Sequence, residues 1–133
     1  LDDLGNPAQA LSKDLSRAES RKQLSARYLA RSHRDSPETG CPLSALLSEV
    51  PHGGTEFRRA YAACVAQSLL NRQEALSETP PGEDIALLAL ALGGLALARA
   101  LPDQMTSDSV LRACREASAI LADAYEDRRG GRA

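Results

Sequence analysis

An all-α bundle of five to six helices is the fold that this sequence predicts. Apolar residues recur at helical spacing through most of its length, capping residues and Pro/Gly clusters cut it into helix-sized pieces, and almost nothing alternates as a strand does. With 133 residues, of which 43% are hydrophobic and 26% charged, the chain suits one globular domain. We place that domain at residues 1–126, followed by a polar tail at 127–133.

The first helix is expected near Pro7, where Asn6-Pro7-Ala8-Gln9 supplies a cap, a first-turn proline and a third-position Gln, followed by Leu11, Leu15 and Ala18. Ser16-Arg17-Ala18-Glu19 is a second capping box, so residues 7–34 can be two helices meeting near Ser16. Leu24, Tyr28, Leu29 and Ser32 share one face, with Arg21, Lys22, Arg27 and Arg31 assigned to the other. HRDSPETGCP, residues 33–42, then reads as a turn. Proline disfavours helix at Ser36, Gly40 permits a positive backbone angle, and Pro42 opens a short amphipathic helix through Leu43, Leu46, Leu47 and Val50, with Cys41 as its cap. That helix ends at PHGG, residues 51–54.

Thr55 can cap the next helix, whose inner stripe is Phe57, Tyr61, Cys64, Val65, Ser68 and Leu69 and which runs to about Leu76. SETPPGED, residues 77–84, is a strongly marked loop ending in two acids that begin the following helix. From about Asp84 to Leu101 the pattern is apolar nearly all round, and IALLALALGGLALA (residues 85–98) carries no charge. At about 14 residues this run falls short of the roughly 20 a bilayer span requires, so it predicts a buried helix and no membrane partner. Beyond PDQMTSD, Thr106 or Ser107 can cap the last helix. There Val110, Cys114, Ala117, Leu121 and Ala124 form a narrow seam, and Asp108–Arg112 and Arg112–Glu116 form i,i+4 pairs.

Bulk chemistry narrows function. A formal charge of -2 gives no general attraction to phosphate backbones, so nucleic acid is a poor partner for this chain alone. Cys41, Cys64 and Cys114 are widely spaced, with only His33 and His52 as companions, which supports no metal or other cofactor. The odd thiol count and the absence of a signal-peptide pattern predict free cysteines in the cytoplasm. Because the chain starts at Leu1, it is expected to be part of a longer protein.

Several residues carry a resemblance. YLARSHRDSPETGCPLSALLSEV, a longer amphipathic helix, an Ala/Leu-rich helix with a Gly pair ending ARAL, and SDSVLRACREA follow one another in that order. This series resembles the C-terminal regulatory domain of TetR/AcrR-type bacterial transcriptional regulators, from about Leu4 to Ala122. The sharpest part is H-R-D-x-P-x-x-G-C-P-L, matched by His33, Arg34, Asp35, Pro37, Gly40, Cys41, Pro42 and Leu43. The resemblance implies that the last two long helices pair with their twofold mates in a four-helix dimer interface. It also implies that the earlier helices enclose a pocket for a small-molecule effector, aliphatic or small aromatic given 3% aromatic residues. Operator DNA would be read by an N-terminal helix-turn-helix that these residues do not contain.

The candidate pocket comprises Tyr28, His33, Cys41, Leu46, Leu47, Phe57, Tyr61 and Cys64. The candidate dimer interface comprises Leu88, Leu92, Leu95, Arg99, Leu111, Cys114, Arg115 and Leu121. Physical reasoning points to the dimer separately, because Leu88, Leu92 and Leu95 exposed on a monomer would form a patch above the few hundred Å² a soluble surface tolerates. Gly93-Gly94 costs about 1 kcal/mol per glycine in a helix and suits close approach of another backbone; packing against the chain's own preceding helix is the other reading.

His33-Arg34-Asp35 also occurs in protein kinase catalytic loops, but the companion Asn, DFG and glycine-rich loop are missing. Arg34 and Asp35 are instead expected to hold the turn by bonding backbone groups. His33 is either a packing residue at a helix end or a polar anchor for ligand. Cys41 is either a buried thiol or an oxidisable one at a helix N-terminus. No catalytic constellation is apparent, so an enzyme is not expected. Two rival readings stand beside the regulator: a helical dimeric interaction module without a pocket, and a small helical enzyme joining His33 or His52 to an acid or thiol.

Overall fold

The computed structural model describes residues 16–76 and 81–131, and within them the chain is an all-α bundle. Its helices are α1 (Arg17–Tyr28), α2 (Arg31–Arg34), α3 (Pro42–Ala45), α4 (Thr55–Leu76), α5 (Pro81–Ala100) and α6 (Gln104–Arg129), with 3₁₀ turns at Pro37–Thr39 and Val50–His52. The helix expected from Pro7, the first half of the loop expected over residues 77–84, and the end of the tail lie outside the described residues; the second half of that loop is already helical, since α5 starts at Pro81 and not near Asp84.

Ser16 caps α1, its Oγ accepting the Glu19 N–H at 3.1 Å, as the capping box predicts. The helix stops at Tyr28, short of the expected continuation to Arg34, because side chains take its terminal carbonyls. His33 Nδ1 donates to the Tyr28 carbonyl at 2.7 Å and Arg115 Nη1 to the Leu29 carbonyl at 2.8 Å. Ala30 is consequently extended (φ -79°, ψ 152°) before α2 begins. The amphipathic helix expected over Leu43–Val50 is a single turn, α3, followed by non-helical turns.

Asp103 rather than Thr106 or Ser107 caps α6, accepting the Thr106 N–H at 3.0 Å. The early cap frees Ser107 to enter the core, where its hydroxyl donates to the Ala98 carbonyl at 2.7 Å. At the other end α6 continues to Arg129, through part of the expected polar tail. Asp108 is drawn to Arg34 and Arg31 (2.6 and 3.3 Å) and not to the expected Arg112.

The core is built around α5. Leu95 and Ala98 pack with Leu29 of the α1–α2 turn and Leu111 of α6, and Leu88 and Leu92 pack with Leu43 of α3. Gly94 belongs to this packing, since a Cβ there would lie 2.8 Å from Cys114 Sγ and 3.0 Å from Leu29 Cδ2. The glycine therefore admits the chain's own α6 and the α1–α2 turn, and neither a second subunit nor the preceding helix. Gly93 opens to free space.

Arg21 contradicts the polar-face assignment. It is fully buried, with Nη2 2.9 Å from Glu83 and Nε 3.6 Å from Asp84, itself fully buried. An internal ion pair thus fixes the start of α5 against α1. Breaking a buried pair by removing one of its charges costs about 3–5 kcal/mol. Arg21→Met, which takes the cation from both Glu83 and Asp84, is expected to lower the stability measured by urea unfolding by that amount, and Asp84→Leu by less, because Arg21 keeps Glu83 at 2.9 Å.

Candidate functional site

The sequence-predicted pocket residues divide into two sets. Tyr28, Cys41 and Tyr61 converge on the Leu43, Leu88 and Leu92 cluster beneath α4, together with Val65 and Leu69, and His33 meets the Tyr28 ring edge-on at a centroid distance of 4.7 Å. Leu47 and Cys64 are exposed, and the Phe57 ring packs over Gly53. Leu46 is half-buried in the turn after α3. The convergent set is therefore smaller than expected and includes Leu43, Val65 and Leu69, whose apolar spacing marked them as core without marking them as site.

α4 positions Tyr61, and the Tyr61 hydroxyl donates to the carbonyl of Leu43, the second residue of α3. Burial raises the tyrosine's pKa above its ordinary value, with the Cys41 and Cys64 thiols adding to the effect. From α3, the Ser44 hydroxyl donates to the Leu92 carbonyl at 3.0 Å, so α3 is tied to both α4 and α5. Leu43, Leu88 and Leu92 pack together between them, with Tyr61, Val65 and Leu69 against the cluster.

His33 is the polar centre of the turn. Because the Tyr28 carbonyl can only accept, Nδ1 carries the proton and Nε2 is left as an acceptor, which receives the Cys41 backbone N–H at 3.1 Å. Gly40 makes room for this contact, since a Cβ there would lie 2.7 Å from Nε2 and 3.0 Å from Arg99 Nη2. Its φ is -88°, so the turn needs glycine for space and not for the positive angle that the sequence suggested. Burial lowers the imidazole pKa from its ordinary value; the bond to the Tyr28 carbonyl opposes that shift, and the Arg99 charge adds to it.

Two arginines complete the node. Arg34 bonds Asp35 (Nε, 2.9 Å), Ser107 (Nη1, 3.0 Å) and Asp108 (Nη1, 2.6 Å), which joins α2 to α6 through side chains, where the sequence suggested local backbone bonds. These carboxylates hold its pKa above the ordinary value, and Arg34 in turn holds Asp35 below its own. Arg99, placed by the sequence in the dimer interface, turns inward, donating from Nη2 to the His33 carbonyl (2.8 Å) and from Nε to the Arg34 carbonyl (3.2 Å).

The expected interface needs wider correction. Leu88, Leu92, Leu95 and Leu111 are between 0% and 7% exposed within one chain, so a second copy has nothing to cover there. Arg115 is directed to the Leu29 carbonyl, and Cys114 packs against the Leu95–Leu111 cluster. Leu121 alone sits at the edge of the outer surface, half-buried. The large apolar residues exposed on these two helices are Ile85 (51%) and Leu97 (51%) on α5 and Met105 (80%) and Ile120 (69%) on α6, with Ala89, Gly93, Ala113 and Ala124 also exposed.

An open cleft of about 480 Å³ lies at the opposite end of the bundle, lined by Gly82, Glu83, Tyr125, Arg128 and Arg129. Its acid is already matched, because Glu83 pairs with both Arg21 and Arg129. Among the described residues no group of three or more His, Cys, Asp or Glu side chains is arranged to hold a metal ion, and no helix is long and apolar enough to cross a membrane.

The Tyr61 hydroxyl tests how firmly α4 closes this region. Tyr61→Phe removes one hydrogen bond and is expected to cost about 1 kcal/mol, read as a lower urea midpoint with unchanged slope. No family model matches the chain, and no curated protein matches it.

Proposed function

We propose that this chain is the dimerising, effector-responsive domain of a TetR-like bacterial transcriptional regulator. The observation that carries the reading is the apolar outer surface shared by α5 and α6. The exposed Ala89, Gly93 and Leu97 of α5 and the exposed Ala113, Ile120 and Ala124 of α6 belong to this surface, with the half-buried Ala86, Leu90, Ala117 and Leu121 at its edges. Arg112, Glu116 and Asp123 fall toward the α1 side, where Lys22 holds Asp123 at 2.7 Å. A strip two helices wide and the length of α5 presents on the order of 600 Å² per subunit, approaching the roughly 800 Å² of a standard interface. At about 25 cal/mol per Å², covering it is a strong drive to associate. Two copies of the α5–α6 pair make a four-helix contact, as the resemblance implies.

The effector site under this reading is the region of Tyr28, His33, Cys41, Leu43 and Tyr61 below α4. A ligand entering there shifts the two subunits relative to each other and, through an N-terminal helix-turn-helix beyond these residues, alters the match to operator half-sites. In the cytoplasm of a bacterium the ligand would be small and mainly apolar. A dimeric interaction module without a pocket is the second reading, favoured by the side chains that fill the region.

Sedimentation at micromolar concentration is expected to give a dimer, and Leu97→Glu or Ile120→Glu a folded monomer with an unchanged helical spectrum. A wild-type monomer removes the dimer from the proposal. Thermal-shift screening with small aliphatic and aromatic compounds separates the two readings, because a ligand that stabilises the wild type but not a Tyr61→Trp variant favours the regulator.

A further inference from the structure

We propose that His33 is a proton-operated latch: in its neutral form it clamps the Gly40–Cys41 turn onto the α1–α2 junction, and a proton added at Nε2 releases that turn. Geometry requires the first half of this statement. Nδ1 is committed as a donor to the Tyr28 carbonyl at 2.7 Å, so Nε2 must be bare to accept the Cys41 N–H at 3.1 Å. A proton on Nε2 sets one N–H donor against another, and the bond becomes a repulsive contact. Gly40 holds the ring and the turn too close together for either to swing aside without separating them.

The surroundings withhold a counter-charge. Arg99 from α5 places its guanidinium on the His33 carbonyl at 2.8 Å, a like charge facing an imidazolium. The carboxylates of the same polar node, Asp35 after α2 and Asp108 on α6, are both engaged by Arg34 (2.9 and 2.6 Å), and Asp108 also by Arg31 (3.3 Å). Tyr28 from α1 presents its ring edge and its carbonyl, and the turn presents the half-buried Cys41. No element packed on the ring supplies an acid to it, among the described residues.

The direction follows from linkage. The folded-state pKa lies below the ordinary histidine value of 6.5, so the clamp contributes fully above that value and is lost as pH falls through the lower, folded one. What is released is specific. Cys41 and Pro42 lead directly into α3, whose Leu43 carbonyl anchors Tyr61 and whose Ser44 is bonded to Leu92. The latch therefore governs how α3 and α4 close over α5, whatever the chain regulates.

The chain has two histidines, which makes the test clean. Proton NMR titration of the wild-type chain from pH 8 to pH 4.5 follows the His33 ring, the Cys41 amide and the nuclear Overhauser contact between the ring and Gly40. The expected result is a His33 midpoint below 6.5, with the Cys41 amide shift and loss of the Gly40 contact sharing that midpoint. His33→Gln should abolish the shared transition and His52→Gln should leave it in place. A Gly40 contact that survives protonation of the ring overturns the proposal, as does a transition that persists in His33→Gln. The wild-type titration decides even where a variant does not fold.

Discussion

A helix with no charge between Ile85 and Ala98 has to be covered along most of its circumference, and the way α5 is covered sets the place of every other element. The α1–α2 turn takes the side of Leu95, α3 and α4 take Leu88 and Leu92, and α6 closes over Gly94 and Ala98. Three sides are thus satisfied within one chain. The fourth, with Ile85, Ala89, Gly93 and Leu97, is continuous with the apolar side of α6 and remains open to solvent, contrary to the usual limit on exposed apolar surface.

Arginines settle the polar consequences of this packing. Where helices meet α5 end-on, carbonyls would be buried without partners, a cost of about 1–3 kcal/mol each. Arg115 reaches the Leu29 carbonyl, and Arg99 reaches those of His33 and Arg34. Planar, multiply donating side chains can bridge such gaps from a neighbouring helix, which a lysine cannot do with the same geometry. The break between α1 and α2 is stabilised in this way by residues 66 and 86 positions distant.

That distance explains which features the sequence disclosed. Local signals were readable: the Ser16 cap, the turn at Pro37–Pro42, the start of α4 at Thr55, and the existence of two long final helices all follow from neighbours in the chain. Phase was not readable in α5, because a helix apolar all round gives periodicity no preferred face. Leu88, Leu92 and Leu95 were accordingly assigned outward when they point in. Arg21 was assigned to solvent by its charge alone, since its acids lie more than 60 positions away and nothing local marks them as its partners. Gly40 is marked in the sequence for a backbone reason, whereas its requirement is room for the His33 ring, seven residues earlier in the chain. In the candidate site, spacing puts Tyr28 and Tyr61 on inner faces, and Cys41 is marked as the cap before Pro42; Leu47 and Cys64 are misplaced because α3 ends after one turn and α4 is covered along one narrow edge.

The same packing ties the two proposed activities to one element. Leu88 and Leu92 face the region below α4, while Gly93, the residue after Leu92, and Leu97, about a turn further on, face outward. A close-packed helix transmits displacement instead of absorbing it, because interiors have few voids into which side chains can relax. A ligand seated against Leu88 and Leu92 would therefore move the outer face of α5 by a comparable amount. Such a movement becomes regulation only when the ligand binds one subunit arrangement more tightly than another; a preference of about 1.4 kcal/mol changes their ratio tenfold. In the proposed regulator, α5 is at once the wall of the effector site and the surface that meets the second subunit, so no separate relay between the two is required.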